Sequence, residues 1–394
     1  MTASAARSML PPLSDPERRH SEALAQVIRE AVRTCGGWLS FGRFMELALY
    51  APGLGYYSAG ARKLGPGGDF VTAPQMSALF SRCLARSCAD VLGRTGGQIL
   101  ELGAGTGVMA AAVLHELADC GRLPERYAIL EVSADLAARQ REHLALLPRG
   151  LRERVVWLDA LPVAPFNGVI LANEVADALP CRRFVCRGGS VRELGVSVGP
   201  AGEFLEVAGE ADAALVQACA AVFAALGAPL PDGYVSELSL NVGPWIAALG
   251  ACLGNGALLL LDYGLSQRHY YHPQRATGTL RCHFKQRVHD DPYINVGVQD
   301  ITAWVDFTRV AQAGVDAGLS VAGFATQAAF LLATGLEELV GAAADDLERA
   351  RLAGEARRLI MPEEMGEAFK AMALTRGLDA PPPGFALQDL RDLL

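Results

Sequence analysis

The sequence predicts an α/β protein organised around a mostly parallel sheet. Two observations carry this. From Gln98 onward, short apolar runs alternate with segments of helical periodicity, the signature of βαβ units. A glycine-rich turn also falls where the first of these runs ends and a helix begins, as in open α/β sheets that bind a ligand at their carboxyl edge. The 394 residues, 51% apolar and 20% charged, supply a large core and exclude intrinsic disorder.

The elements follow in order. Met1 to Arg19, with its Pro11-Pro12 and Asp15-Pro16 steps, reads as a loose tail. Apolar residues at helical spacing from Glu22 to Val32, with Ser21 as cap, predict a first helix, and Phe41–Leu49 a second. The glycine- and proline-rich stretch 51–74 reads as a long shaped loop. Strands are expected at Gln98–Leu102, Tyr127–Leu130, Val155–Leu158, Gly168–Ala172 and Ala257–Leu261. An antiparallel meander over Phe184–Val207, with turns at Gly188-Gly189 and 199–202, interrupts them, followed by helices at 211–226 and 243–253. The irregular segment 262–301 holds four of the seven histidines. A helix at 306–317, a strand at 319–324, two further helices and a strand at 369–374 complete the chain. The reading is one α/β core with an N-terminal helical extension and two insertions, the meander and a cap.

Composition narrows the function. A net charge of −8 argues against a nucleic-acid partner, which would require many phosphate contacts. The longest near-apolar stretch, 218–230, is too short for a bilayer, so no membrane span is expected. Nine cysteines without a C-x-x-C pair signal neither zinc nor a disulfide framework and suit a reducing compartment: the cytoplasm of a bacterium, or the mitochondrial matrix of a eukaryote. No histidine spacing places two metal ligands on one helical face, and no metal is expected.

The chemistry concentrates at Glu101-Leu102-Gly103-Ala104-Gly105-Thr106-Gly107. Glycines at alternate positions let the backbone turn tightly and approach a ligand closely. Counted from Gly103, the dinucleotide fingerprint would need a small residue at position 108, where Val108 stands. An acid two residues before G-x-G-x-G is instead the arrangement of class I methyltransferases that bind S-adenosyl-L-methionine, with Gly103, Ala104, Gly105 and Gly107 against the ligand. Glu131, followed by Val132 and Ser133, ends the second strand where a carboxylate can accept both ribose hydroxyls; its plainer reading is a solvated acid. Asp159, Ala160 and Leu161 end the third, where a polar residue can meet an adenine amino group and Leu161 can pack on the ring; otherwise they form an ordinary turn. Asn173-Glu174 ends the fourth, and an Asn-Glu step there is hard to explain by packing. Glu174 and Asp177 are the acceptor-orienting candidates, Asp177 being equally readable as a helix cap or a partner of Arg182 or Arg183. Asp69 and Thr72 are candidates to cover the cofactor, although Asp69 also reads as a turn residue. His283, His289 and Tyr293 in the cap are available to an acceptor.

Several segments then resemble one family: GDFVTAPQMSALF (68–80), LELGAGTG (100–107), NEVADALPCRRF (173–184), LLLDYG (259–264), the long run 272–308 and FKAMALTRG (369–377). They look like the MidA family, which includes a mitochondrial complex I assembly factor acting as a protein arginine methyltransferase. The likeness covers about residues 20–385. It implies a class I, Rossmann-like methyltransferase fold using S-adenosyl-L-methionine, and an acceptor arginine in a protein substrate, a complex I subunit dimethylated symmetrically. It leaves a homodimer open. Methylation of a small molecule or of another side chain, and a cofactor-binding assembly chaperone, are the alternatives. On this reading residues 1–20 are the tail, 21–95 the N-terminal helices and loop, and 96–183 the first part of the core. The meander insertion spans 184–254, a core strand 255–264, the cap 265–305, and the rest of the core 306–394.

Overall fold

The computed structural model describes residues 10–59 and 72–394, so Asp69 lies outside the described residues. The chain divides into two compact units: Met1–Phe70, Asp177–Val242 and Gln267–Trp304 form one, and Val71–Ala176, Gly243–Ser266 and Val305–Leu394 the other.

The second unit holds the large sheet. Its strands are β1 (Gln98–Leu102), β2 (Tyr127–Leu130), β3 (Val155–Leu158), β4 (Phe166–Asn173), β5 (Leu253–Leu265), β6 (Val305–Asp306), β7 (Ser320–Thr326) and β8 (Phe369–Arg376). They lie in the order β7-β8-β5-β4-β1-β2-β3, with the short β6 alongside β5. Every pairing is parallel except those of β8, which runs antiparallel between β5 and β7. The runs are apolar because both sheet faces are covered: Ile99, Val169 and Leu259 on one face and Leu100, Ile170 and Leu258 on the other are all buried. Helices α1 (Ala78–Thr95), α2 (Val108–Asp119) and α3 (Ala134–Leu144) connect or cover these strands. Helix α1 belongs to this unit and packs on α2, with Phe80, Cys83, Leu84 and Cys88 buried in its core.

Parts of this unit depart from the sequence reading. β5 begins four residues earlier than expected, because Gly254 and Gly256 break the apolar run without ending the strand. A Cβ on Gly256 would stand 1.9 Å from the Gly168 carbonyl oxygen, so only glycine permits the register with β4 at this point. Between β7 and β8, three helices (Gln327–Ala333, Leu336–Gly341, Asp346–Ile360) replace the expected two.

The first unit packs two helices, Asp15–Thr34 and Phe41–Tyr50, with the antiparallel strands Arg182–Arg187, Ser190–Val198 and Phe204–Glu210 and a three-stranded cap sheet. The first helix starts before Ser21. Ser14 and Glu17 form a reciprocal capping box with Pro16 in the first turn, and Ser21 is buried inside the helix. Phe41, Phe44, Tyr56 and Phe204 form the core of the unit. Beside it, half-buried Arg183 bridges Glu206 and the fully buried Glu237, while Arg182 pairs with Glu193 and Asp212.

Candidate functional site

Register builds the site. Leu102, Leu130 and Leu158 are paired in turn across β1, β2 and β3, and Leu102 is paired with Ala172 of β4. The next residue in each strand is Gly103, Glu131, Asp159 and Asn173, so four sequence candidates stand in one row at the carboxyl edge of the sheet.

The turn after β1 takes φ of 62° at Gly103, 55° at Gly105 and 82° at Gly107, a backbone that L side chains adopt only with strain. Gly107 is the left-handed N-cap of α2, and Ala104 is buried beneath the turn. Below it, Glu101 is fully buried and accepts a hydrogen bond of 2.7 Å from the Tyr127 hydroxyl at Oε2. Among the described residues its Oε1 is buried with no hydrogen-bond partner. Burial pushes its pKa up to about 7, against the Tyr127 bond and with help from the Glu131 charge.

Glu131 is held from both ends. Its Oε1 accepts from the Ser133 amide at 2.9 Å, and its Oε2 from Gln140 at 2.9 Å. Ser133 caps α3, and Val132 between them is 72% exposed, an apolar side chain bare at the mouth of the site. Asp159 and Ala160 are exposed and Leu161 half-buried.

Asn173 closes β4, and its amide donates to Glu174 Oε1 at 3.3 Å. Glu174 takes φ of 51°, rare for a residue with a side chain, and its amide donates to the Leu261 carbonyl at 2.9 Å. A strained acid at the end of a strand is characteristic of a functional position. The next turn is fixed by Asp262 at the β5 end, fully buried, whose Oδ2 accepts from the Ala176 amide at 3.0 Å. Thr72 precedes the one-turn helix Ala73–Met76, which packs against α2.

The remaining candidates lie in the first unit. Asp177 is buried there, and its carbonyl accepts from the Ala303 amide. Arg182 and Arg183, its suggested partners, are engaged by the carboxylates already named. The Tyr293 hydroxyl donates to Glu206 at 2.7 Å and its ring packs on Phe41 and Phe44, so it ties the cap down. Burial drives His283 down to about 4 and His289 below its usual value, which keeps both neutral near pH 7.

Comparison with known proteins identifies this arrangement. Residues 83–325 match the model of an S-adenosyl-L-methionine-dependent methyltransferase family. The chain belongs to the MidA family of S-adenosyl-L-methionine-dependent methyltransferases. A crystal structure from Burkholderia thailandensis, bound to S-adenosyl-homocysteine, is 41% identical with a TM-score of 0.92, over 98% of this chain and 100% of that one. Among curated relatives, the mitochondrial protein arginine methyltransferase NDUFAF7 of Danio rerio is 26% identical over 85% of this chain and 82% of its own length. The Mus musculus protein of that name is 28% identical over 86% and 81%.

The residues of this MidA chain fit the cofactor. The glycine turn has a left-handed backbone that side chains adopt only with strain, and a buried carboxylate oxygen with no hydrogen-bond partner among the described residues stands at its base. Sequence reasoning missed two MidA residues that shape the site, Asp262 and Gln140. An acid ending the apolar run LLLD was a signal for the first, whereas a glutamine within α3 gave none.

Glu101 makes stability depend on pH. Its folded pKa of about 7 lies above the 4.5 of an ordinary glutamate, so its stabilising contribution is complete below about pH 4.5 and lost as pH rises through about 7. Glu101→Gln abolishes this dependence. Urea melts of the cofactor-free protein are expected to show the variant gaining on the wild type by up to ~3 kcal/mol between about pH 5 and about pH 8. A constant difference across that range would refute the assignment.

Proposed function

We propose that the protein is a protein arginine N-methyltransferase that dimethylates, symmetrically, an arginine of a respiratory complex I subunit. The observation that carries this reading is the likeness to the Danio rerio and Mus musculus proteins, named protein arginine methyltransferases, along most of both chains. When bound, the cofactor supplies a methyl group on a sulfonium, which a nucleophile takes in line while the sulfur keeps the bonding pair. The remaining requirements fall on the chain. A guanidinium, charged in water, presents a planar fork suited to a carboxylate. Glu174 is the residue we assign to hold that fork and to favour loss of one proton for each methyl gained. The net charge of −8 suits a basic acceptor segment.

Mass spectrometry of complex I subunits from cells lacking the protein tests this. A dimethyl-arginine present in wild-type cells is expected to disappear, and to return with the wild-type gene but not with a Glu174→Gln copy. An unchanged arginine pattern overturns the acceptor assignment, and methylation lost from a small molecule or another side chain instead would redirect it.

A further inference from the structure

Gln140 lies on α3, outside every segment that the sequence singled out, and is fully buried. Both polar atoms of its side chain are engaged, the nitrogen on the cofactor edge and the oxygen in the body of β3. The amide nitrogen donates to the Gly105 carbonyl at 3.0 Å and to Glu131 Oε2 at 2.9 Å, and Oε1 accepts from the Trp157 indole at 3.0 Å. With two acceptors facing the nitrogen and a donor facing the oxygen, only one orientation of the amide satisfies the set; turning it over would oppose like to like at all three contacts. One side chain thus joins the turn after β1, the acid after β2 and the body of β3. The helix that carries it lies close against the turn: a Cβ on Gly107 would stand 3.4 Å from the Gln140 Cα.

We propose that Gln140 is the positioning residue for the ribose carboxylate, fixing the orientation of Glu131 and its distance from the glycine turn. This rests on Glu131 being the ribose acid. A carboxylate on a short loop rotates freely about its last torsion. Held by Gln140 at one oxygen and the Ser133 amide at the other, the plane of Glu131 is set before any ligand arrives, which removes an ordering cost from binding.

Calorimetry on the full chain tests this with two probes, S-adenosyl-homocysteine and its analogue lacking both ribose hydroxyls. Gln140→Met, close in volume and without the amide, is expected to weaken S-adenosyl-homocysteine about tenfold but the dideoxy analogue less than about twofold. In a Glu131→Gln background the same substitution should cost less than about twofold for either probe. Trp157→Phe, which removes the indole donor together with part of the ring that packs under Arg141, should give a smaller loss, about threefold, with the same preference between probes. This variant serves if Gln140→Met fails to fold. Equal losses for both probes, or none, would make Gln140 a packing residue and overturn the proposal. If Glu131→Gln alone fails to reduce discrimination between the probes, the ribose assignment falls first, and is recognised as the cause.

Discussion

Gly105→Val eliminates measurable S-adenosyl-L-methionine binding, a loss of more than about a hundredfold, while the far-ultraviolet spectrum stays that of the wild type. The expectation follows from two costs that act on one atom. Gly105 sits at φ of 55°, where a β-branched residue pays about 1–3 kcal/mol. The side chain would also enter the space a ligand needs at a turn whose other glycines, at φ of 62° and 82°, leave the backbone little room to adjust. Because the Gly105 carbonyl accepts from Gln140, any shift of the turn is transmitted to Glu131 as well. Calorimetry reads the result directly, and retention of binding within about tenfold would show that the ligand does not approach this turn.

Glu174→Gln lowers the rate of methyl transfer by about a hundred- to a thousandfold and leaves cofactor affinity within about twofold. The first figure is the usual worth of one well-aimed charged group in a transition state; the second follows because a neutral amide keeps the shape of the side chain. A companion variant separates chemistry from strain. Glu174→Gly relaxes the backbone at φ of 51° and is expected to raise stability by about 1 kcal/mol while abolishing activity, a pairing that a merely structural acid would not show. Loss of stability and activity together in Glu174→Gly would remove Glu174 from the acceptor site.

The legible parts of this protein were those where one residue type has one physical use. Strands β1 to β4 were found almost to the residue, since the runs of β1, β2 and β4 are largely buried and so apolar, the half-buried edge strand β3 is a short apolar run as well, and a turn or polar residue follows each. The glycine turn was legible for the same reason. The S-x-x-E box at Ser14 was equally visible in principle, but Pro16 drew the reading toward a tail, although proline is welcome in a first helical turn. Gln140 was illegible because its importance depends on which strand lies beside which, whereas Asp262, the acid that ends the apolar run LLLD, carried a signal of its own. A buried glutamine has no meaning until three partners arrive from elsewhere in the chain. The separation of Glu174 from Asp177 into different units is likewise a matter of contacts that the two intervening residues do not reveal.

The position of β8 has a consequence for how the molecule is made. It is the last strand in sequence, yet it lies in the interior of the sheet, antiparallel between β5 and β7. A ribosome releasing the chain from its amino end therefore delivers β1 to β4, with the whole cofactor row, long before the element that joins the two sides of the sheet. Until residue 376 emerges, β5 and β7 each present an open hydrogen-bonding edge, the condition under which nascent sheets mispair with their neighbours. The nucleoside-binding half can order early, whereas completion of the sheet must wait until β8 has been made.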